Sequence, residues 1–375
     1  MVFGIEDNFV AALEHHDRVC DINLYAQRSQ VEKIVAVMQV SFPVLTSLRI
    51  WSSEILQVLP GDFLGGSAPS LQKLSLCAIP FPTLPTLLLS ASDLVELDLW
   101  HIPPTGYISP EAIVVGLAAL PRLQSFTISF SSQSVTSRPH RIPHPLATRT
   151  ILPALKRFEY RGTSEYLEAL VAHIEGTQLE RIIIRYLNQL AEFRAVQLSQ
   201  FFDRSPDSET IPVRHARVAF DGRSVSFTMQ NYPYFLRQVE IICKGIDWQI
   251  SHMAQVLSQI SVTLSSVVHL QLKPMVAYRD IHIADTDDFE WFHLFHQFPT
   301  VRTLHIHRKL AGHVAPALEG TTGGMATEVL PSLELICIGG QCVKKFDAAR
   351  RLSGRPIIVC TQEEFDKRLD SYVLK

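Results

Sequence analysis

The chain has 375 residues, of which 47% are hydrophobic, and its formal net charge is −3 at pH 7. This composition supplies a large core, and the near-neutral charge gives no field that would attract nucleic acid or a membrane surface. No apolar run approaches the roughly 20 residues of a membrane span, and the first residues lack the pattern of a secretory signal.

A short phrase recurs along the chain, with apolar residues in the order apolar-x-x-apolar-x-apolar. PVLTSLRI from Pro43, PSLQKLSL from Pro69 and PRLQSFTI from Pro121 are three examples. The copies begin at Val19, Leu45, Leu71, Leu94, Leu123, Leu155, Leu179, Leu236, Val267, Val301 and Leu333. Successive copies begin 23 to 34 residues apart, except for a gap of 57 after Leu179, which leaves room for a degenerate copy near 217–220 or 225–229.

Each copy predicts a short strand with one buried face, because its last part alternates with period two. A single strand of this kind cannot bury its apolar face, so we expect the copies to stack into a parallel sheet. The segments between copies carry apolar stripes at helical spacing. Helices are predicted within 31–38, 111–120, 164–176, 248–260 and 287–295. In the third of these, Ser164 is expected to cap the helix and Gly176 to end it.

Strand and helix in alternation predict an α/β fold, a leucine-rich-repeat-like solenoid shaped as a horseshoe. Its parallel strands would lie on the concave face and its helices on the convex face. We expect about eleven to twelve irregular repeats over 1–340, loop insertions near 131–150 and 204–216, and a C-terminal cap over 341–375. The alternative is an ordinary α/β domain with several Leu-rich strands, which the number of copies disfavours.

Three stretches resemble a known family: RTILPALKRFEYRGTSEYLEALVAHIEGTQLERIIIRYLNQL (149–190), QLSQFF (197–202) and FDAARRLSGRPIIV (346–359). The family is the large group of F-box and leucine-rich-repeat-like proteins of mushroom-forming fungi. This resemblance implies a substrate receptor of a cullin-type ubiquitin ligase, in which an F-box grips the adaptor and the repeats grip the substrate. The F-box itself is not evident, because the first repeat begins near Val19 and EDNFVAALEHHD before it predicts one short helix.

The motifs of enzymes and cofactor sites are missing, so we predict no enzymatic activity, no cofactor and no metal. GTTGG (320–324) lacks the Lys and the spacing of a phosphate-binding loop. The pairs His305/His307 and His293/His296 could each contribute two metal ligands, but no third ligand is suitably spaced. The acidic cluster at 285–288 lacks the Gly and terminal Glu of a calcium-binding loop, and is better explained by a helix N-terminus.

Six cysteines are scattered without CxxC spacing, which is typical of a reducing compartment. We therefore expect the protein to be cytoplasmic or nuclear. Such thiols are expected to serve as small hydrophobic side chains within the strands.

The residues between the apolar positions of each copy would line the concave face. Their third positions in the first four copies form a row of Tyr25, Trp51, Cys77 and Trp100, and later copies add arginines. The candidate protein-binding residues are Tyr25, Arg49, Trp51, Trp100, Arg157, Arg161, Arg181 and Arg185. Tyr and Trp are favoured anchors in protein interfaces, and Arg binds carboxylates bidentately. Two alternatives remain open: loops such as 131–150 could cover the tryptophans, and the arginines could form a solvated ladder with glutamates.

These observations predict a protein ligand on the concave face, with a ubiquitin-ligase adaptor as a further partner if an F-box lies upstream. The alternative function is a repeat-only scaffold or sequestering protein without a ligase connection. Nucleic acid and membrane are not expected as partners.

Overall fold

The computed structural model of the chain describes residues 5–131, 149–187, 195–203, 213–231, 235–243, 249–260, 264–275, 288–319, 328–338 and 343–360. The chain forms two compact units, the first running to Ile182 and the second beginning at Ile183. Both units mix helices with mostly parallel strands, as predicted. The predicted division of the chain at residue 340 stays a prediction.

Unit 1 contains a parallel sheet whose strands follow one another in the order β1-β2-β3-β4-β5-β7. These strands are β1 (Asp21–Ala26), β2 (Ser47–Ser52), β3 (Lys73–Cys77), β4 (Glu96–Ile102), β5 (Ser125–Phe130) and β7 (Arg157–Gly162). A separate parallel pair consists of β6 (Thr150–Leu152) and β8 (Ile174–Gly176). The helices are α1 (Ile5–Leu13), α2 (Arg28–Val37), α3 (Leu84–Leu88), α4 (Pro110–Leu117) and α5 (Ser164–Val171), with 3-10 turns at Phe63–Gly66 and Pro104–Gly106.

A tight turn precedes most strands and explains why the phrase so often begins with proline. The backbone N–H of the first apolar residue donates to the carbonyl three residues earlier, at N···O distances of 2.9 to 3.3 Å. The donors are Leu45, Leu71, Leu94, Leu123, Leu155, Val267, Val301 and Leu333. Proline stands at the second position of most of these turns, as in Pro43 and Pro69, where its fixed φ and missing N–H suit the turn.

A second backbone pattern joins each repeat to the next. One carbonyl just before a strand accepts hydrogen bonds from two consecutive N–H groups that open the following strand, at 2.8 to 3.2 Å. The accepting residues are Cys20, Thr46, Gln72, Val95, Gln124 and Lys156 in unit 1 and Arg214, Val268 and Arg302 in unit 2. Since the same bond recurs with each repeat, the spacing of the copies in the sequence corresponds to a repeated structural unit.

The core of unit 1 lies between one face of its sheet and the helices. The apolar template positions are buried in every strand, for example Leu48 and Ile50 in β2, which are both fully inaccessible. Helical residues such as Val31, Leu88 and Ile113 cover them. The alternating positions of the same strands point away from this core, as expected for period two.

Unit 2 contains the strands β10 (His215–Phe220), β11 (Ser224–Asn231), β12 (Phe235–Ile242), β13 (His269–Pro274), β14 (Thr303–Ile306), β15 (Leu335–Ile338) and β16 (Ile358–Cys360). Most of β9 (Arg181–Leu187) also belongs to it. The helices are α6 (Val196–Asp203), α7 (Gln249–Gln259), α8 (Asp288–His296), α9 (Arg308–Glu319) and α10 (Lys344–Leu352). Strands β10, β13, β14, β15 and β16 pair in parallel in that order.

The predicted copy at Leu236 is wrong as a parallel repeat. It lies in β12, which is antiparallel to β11, and β11 is antiparallel to β10. The physical reason is the length of the connections: only Asp221–Arg223 separates β10 from β11, whereas parallel neighbours need a crossover of about a dozen residues. The degenerate copy is β10, at the first of the two expected positions, since His215 stands in register with His269 of β13.

Aromatic residues fill the core of unit 2. Trp291 is fully buried, stacks with Phe295 at a centroid distance of 6.1 Å, and meets Phe220 edge-on at 5.8 Å. Near the end of the chain, the buried guanidinium of Arg350 donates to the carbonyl oxygens of Leu333 and Leu330 at 2.7 and 3.4 Å. Arg350 thereby binds the last of the recurring turns.

Four of the predicted helical segments correspond closely to α2, α4, α7 and α8. The remaining segment, 164–176, corresponds to α5, which is shorter than predicted. Thr163 caps α5 in place of Ser164, because its hydroxyl oxygen accepts from the N–H of Tyr166 at 3.4 Å. Gly176 lies in β8 and does not end the helix. Most of the predicted insertions, GTTGG and most of the acidic cluster at 285–288 lie outside the described residues.

Candidate functional site

The alternating outward positions of β1 to β5 and β7 form what we call the polar face of unit 1. Direct register aligns them in three rows across the strands. The first row is Asp21, Ser47, Lys73, Glu96, Ser125 and Arg157, and the second is Asn23, Arg49, Ser75, Asp98, Thr127 and Glu159. The third row begins Tyr25, Trp51, Cys77 and Trp100. Thus the predicted order of these side chains is the order in the structure.

A groove of about 370 Å³ lies on this face. It is lined by Asn23, Tyr25, Arg49, Trp51, Lys73, Leu74, Ser75, Glu96, Asp98 and Trp100. Tyr25 is 78% exposed and Trp51 is 42% exposed, while Trp100 is half-buried. Exposed apolar side chains that lie next to each other, unlike single scattered ones, often mark an interaction site. Two of the aromatic residues are therefore accessible to a ligand.

The backbone changes conformation at the edge of the aromatic row. Ala78 and His101, which follow Cys77 and Trp100, have left-handed φ values of 60° and 52°. The register between β4 and β5 also shifts between Leu99 and Ile102. A bulge of this kind redirects the side chains around it, and left-handed φ costs about 1–2 kcal/mol for a residue with a Cβ. The position of Trp100 in the groove is therefore maintained at a cost in stability.

Charges of both signs alternate along the groove. Lys73 Nζ lies 3.5 Å from Glu96 Oε2, and both groups are well exposed. Arg49 is exposed and has no ion pair with any described carboxylate. Burial raises the pKa of Asp98 above its usual value, and a hydrogen bond from Thr127 partly offsets that rise. Arg49 is thus the cation of the groove that is available to an incoming anionic group.

Beyond the groove, the polar face is increasingly buried. Thr127, Ser129 and Glu159 are all at most 4% exposed. Glu159 Oε2 lies 3.0 Å from Arg157 Nη2, so this arginine already has a carboxylate partner. The hydroxyl of Ser129 and Nε of Arg161 have no hydrogen-bond partner in the described structure. Burial, together with the nearby Arg161, lowers the pKa of His101.

The structure brings together only part of the candidate set. Tyr25, Arg49, Trp51 and Trp100 line one groove, whereas Arg157 and Arg161 lie on the same polar face but do not line it. Arg181 is exposed at the start of β9.

Arg185 belongs to unit 2, where its Nε lies 3.0 Å from Glu240 Oε2. The groove is completed by residues that were expected on this face but were not among the candidate binding residues, chiefly Asn23, Lys73, Glu96 and Asp98. The period-two pattern places them on this face, but their residue types are common on any polar surface.

The histidines do not build a metal centre within the part of the chain that is described, where no three metal-ligating groups come together. His305 is buried at 6% exposure, and its Nδ1 lies 3.1 Å from Gln271 Nε2. His293 and His296 are exposed on α8. No helix among the described residues has both the length and the apolar character needed to cross a bilayer.

Comparisons with protein-family profiles, with curated proteins and with solved structures gave no match. The groove and the residues that line it are therefore the features from which we infer a function.

Proposed function

We propose that the repeats form a leucine-rich-repeat-like horseshoe whose polar face binds a segment of another protein. The recurring turn and the doubly accepting carbonyl support a solenoid, because the turn has the same place in successive copies and the carbonyl joins one repeat to the next in the same way. In such a fold the strands lie on the concave side, which is the usual binding surface of a solenoid.

The observation that carries the binding proposal is the exposure of Tyr25 and Trp51 beside Arg49 in one groove. Rigid aromatic side chains lose little conformational entropy on binding, and interface tryptophans and tyrosines often contribute about 2 kcal/mol or more each. Arg49 adds a guanidinium that can bind a carboxylate through two parallel hydrogen bonds. A partner segment with an apolar or aromatic side chain next to an acidic one fits this arrangement.

The resemblance to fungal F-box proteins suggests a biological setting for such binding. We propose that the chain is the substrate-recognition part of a cullin-type ubiquitin ligase receptor, which acts in the cytoplasm or nucleus. The alternative is a scaffold or sequestering protein that uses the same groove without a ligase. Neither function requires a cofactor or a catalytic residue.

Site-specific photo-crosslinking tests the binding proposal. A benzophenone amino acid replaces Tyr25, in the groove, or Leu89, which is 55% exposed at the end of α3 and outside the groove. We expect a partner protein to be crosslinked from position 25 and not from position 89, and Trp51→Ala should reduce its yield. Equal yields from both positions would reject the groove as the binding surface. Ligase adaptor in the captured complex supports the receptor role, and a partner captured without adaptor supports the scaffold.

A further inference from the structure

A second group of polar side chains lies on one face of the sheet of unit 2 and has no part in the groove. Arg217 of β10 is in register with Gln271 of β13, which is in register with His305 of β14. Arg217 Nε donates to Gln271 Oε1 at 2.9 Å, and Gln271 Nε2 lies 3.1 Å from His305 Nδ1. Lys273, two residues beyond Gln271, projects from the same face. We call Arg217, Lys273 and His307 the basic cluster of unit 2.

His307 joins this cluster at the end of β14. Its backbone N–H donates to the carbonyl of Leu272 at 2.9 Å, so it continues the pairing with β13 and stands beside Lys273. The Nδ1 atom of His307 accepts from the backbone N–H of Lys309 at 3.2 Å. In a neutral imidazole the proton then lies on Nε2, which can donate to a ligand. Neighbouring strands are about 4.8 Å apart, so Lys273 and His307 can reach one small group together.

The cluster carries positive charge that no described carboxylate offsets. On this face β10 contributes His215, Arg217 and Ala219, and β13 contributes His269, Gln271 and Lys273, none of which is acidic. The ion pairs found among the described residues of unit 2 involve other cations: Arg185, Arg302 and Arg351.

The titration of the cluster is consistent with this crowding of positive groups. Burial lowers the pKa of Lys273, and the charge of Arg217 lowers it further. Burial likewise lowers the pKa of His307, and the neighbouring positive groups, including Lys273, add to this effect. An anion between these groups would reduce their mutual repulsion.

We propose that Arg217, Lys273 and His307 bind a single dianionic phosphate group, either a monoester or the free ion. Arg217 has uncommitted Nη donors after its Nε bond to Gln271, Lys273 supplies an ammonium, and His307 supplies one imidazole N–H. Three donors of this kind suit the three terminal oxygens of one phosphate group. On these strands the face offers no Tyr, Trp or Phe on which a nucleic-acid base could stack. This site is separate from the groove of unit 1 and does not depend on the function proposed for it.

The test uses the full chain, with inorganic phosphate and a capped Gly-phosphoserine-Gly tripeptide as probes. The imidazole resonance of His307 is followed by NMR at a pH well above the second pKa of both probes, which is about 6 for the phosphoserine monoester and higher for inorganic phosphate. We expect the chemical shift of the His307 imidazole to change and to saturate at millimolar concentrations of at least one of the two probes. Tighter binding of the tripeptide would assign the phosphate to a phosphorylated chain, and binding of inorganic phosphate at least as tight would assign it to a free ion.

Two variants and one control make this test specific. Lys273→Met keeps the apolar stem and removes the charge, so we expect about tenfold weaker binding. Should this variant unfold, His307→Gln serves in its place, with calorimetry as the readout. Lys156→Met removes the same charge from an exposed lysine of unit 1 and should leave the affinity unchanged.

Three results would overturn the proposal: no saturable shift with either phosphate probe, equal affinity in Lys273→Met, or tighter binding of a single-stranded oligonucleotide that contains only phosphodiesters.

Discussion

Replacing Arg157 with alanine tests whether the charged residues at the buried end of the polar face stabilise the fold by pairing with each other. Arg157 is 45% exposed at its side chain, whereas its partner Glu159 is only 5% exposed, and the two are 3.0 Å apart. Arg157→Ala therefore removes an ion-pair partner of a carboxylate that water can scarcely reach. The free-energy cost of desolvating the Glu159 carboxylate is then no longer offset by the ion pair with Arg157.

The magnitude follows from the burial of the two groups. A hydrogen bond to a charged group contributes about 1.5–3 kcal/mol, and the partial exposure of Arg157 reduces that figure through solvent screening. We expect Arg157→Ala to lower the free energy of unfolding by about 1–2 kcal/mol. Glu159→Gln removes the buried charge, so Arg157→Ala in that background should cost about 1 kcal/mol less.

Urea unfolding of the wild type, both single variants and the double variant gives this coupling energy directly. Arg181→Ala is the matched control, because Arg181 is exposed and forms no ion pair with a described carboxylate; it should change stability by less than about 0.5 kcal/mol. An Arg157→Ala variant as stable as the control would contradict a structural role for this ion pair. Arg157 would then be available for a ligand, as the sequence alone suggested.

Three further predictions concern pH, backbone conformation and thiol reactivity. Burial, with His215 adding to the effect, lowers the pKa of His269 to about 4, so its contribution to stability is present above about pH 6.5 and is lost as the pH falls towards 4. From pH 7 to pH 5 the loss of stability should be about 1 kcal/mol, because solvent screening at this partly exposed ring reduces the energy that the pKa shift implies, and His269→Gln should reduce the pH dependence of urea unfolding by that amount. Ala78→Gly relieves a left-handed φ of 60° and should raise the unfolding free energy by about 0.5–1 kcal/mol. Exposed Cys20 should react with iodoacetamide in the native protein. Burial raises the pKa of Cys243 to about 11, so this thiol should react only after unfolding. Mass spectrometry of the labelled peptides measures both reactions.

Each of these predictions has a clear contrary result. Parallel stability curves for the wild type and His269→Gln between pH 7 and pH 5 would show that this histidine titrates normally. A loss of stability in Ala78→Gly would mean that the left-handed turn depends on the Ala78 methyl group. Labelling of Cys243 as fast as Cys20 would contradict its burial.

The sequence predicted the polar face of unit 1 down to individual pairs, because both the register and the face follow from one repeated pattern. Tyr25, Trp51, Cys77 and Trp100 align since each stands at the same offset from the first apolar residue of its copy. Period-two alternation then decides which side they occupy. The exposed fraction of each side chain could not be predicted from that pattern, since it depends on the groups around the side chain.

The failures of prediction have equally specific causes. The copy at Leu236 has the right apolar spacing, but strand direction depends on connection length, and the short connections of β11 made it antiparallel. Arg157 pairs with Glu159 two residues along the same strand, whereas Arg185 pairs with Glu240 of another strand, and both pairings depend on side-chain conformation. Residue spacing alone could not distinguish these paired arginines from Arg49.

The basic cluster of unit 2 was also missed, for a related reason. Arg217 lies in the degenerate copy, whose strand could not be placed from the sequence, so its alignment with Gln271 was unknown. The period-two pattern placed Lys273, His305 and His307 on one face of their strands, but it did not place Arg217 beside them. Their shared neighbours became apparent once the register of β10, β13 and β14 was known.

The assignment of the groove as the binding surface is tested most directly with a partner protein that the crosslinking identifies. The measurement is the affinity of that partner for the wild type and for Trp51→Ala, with Leu89→Ala as control. Burying an anchor of this size should contribute about 2 kcal/mol, so we predict that Trp51→Ala weakens binding about 30-fold while Leu89→Ala leaves it unchanged. Equal affinities for the wild type and Trp51→Ala, with both proteins folded, would contradict the assignment of this groove as the binding surface.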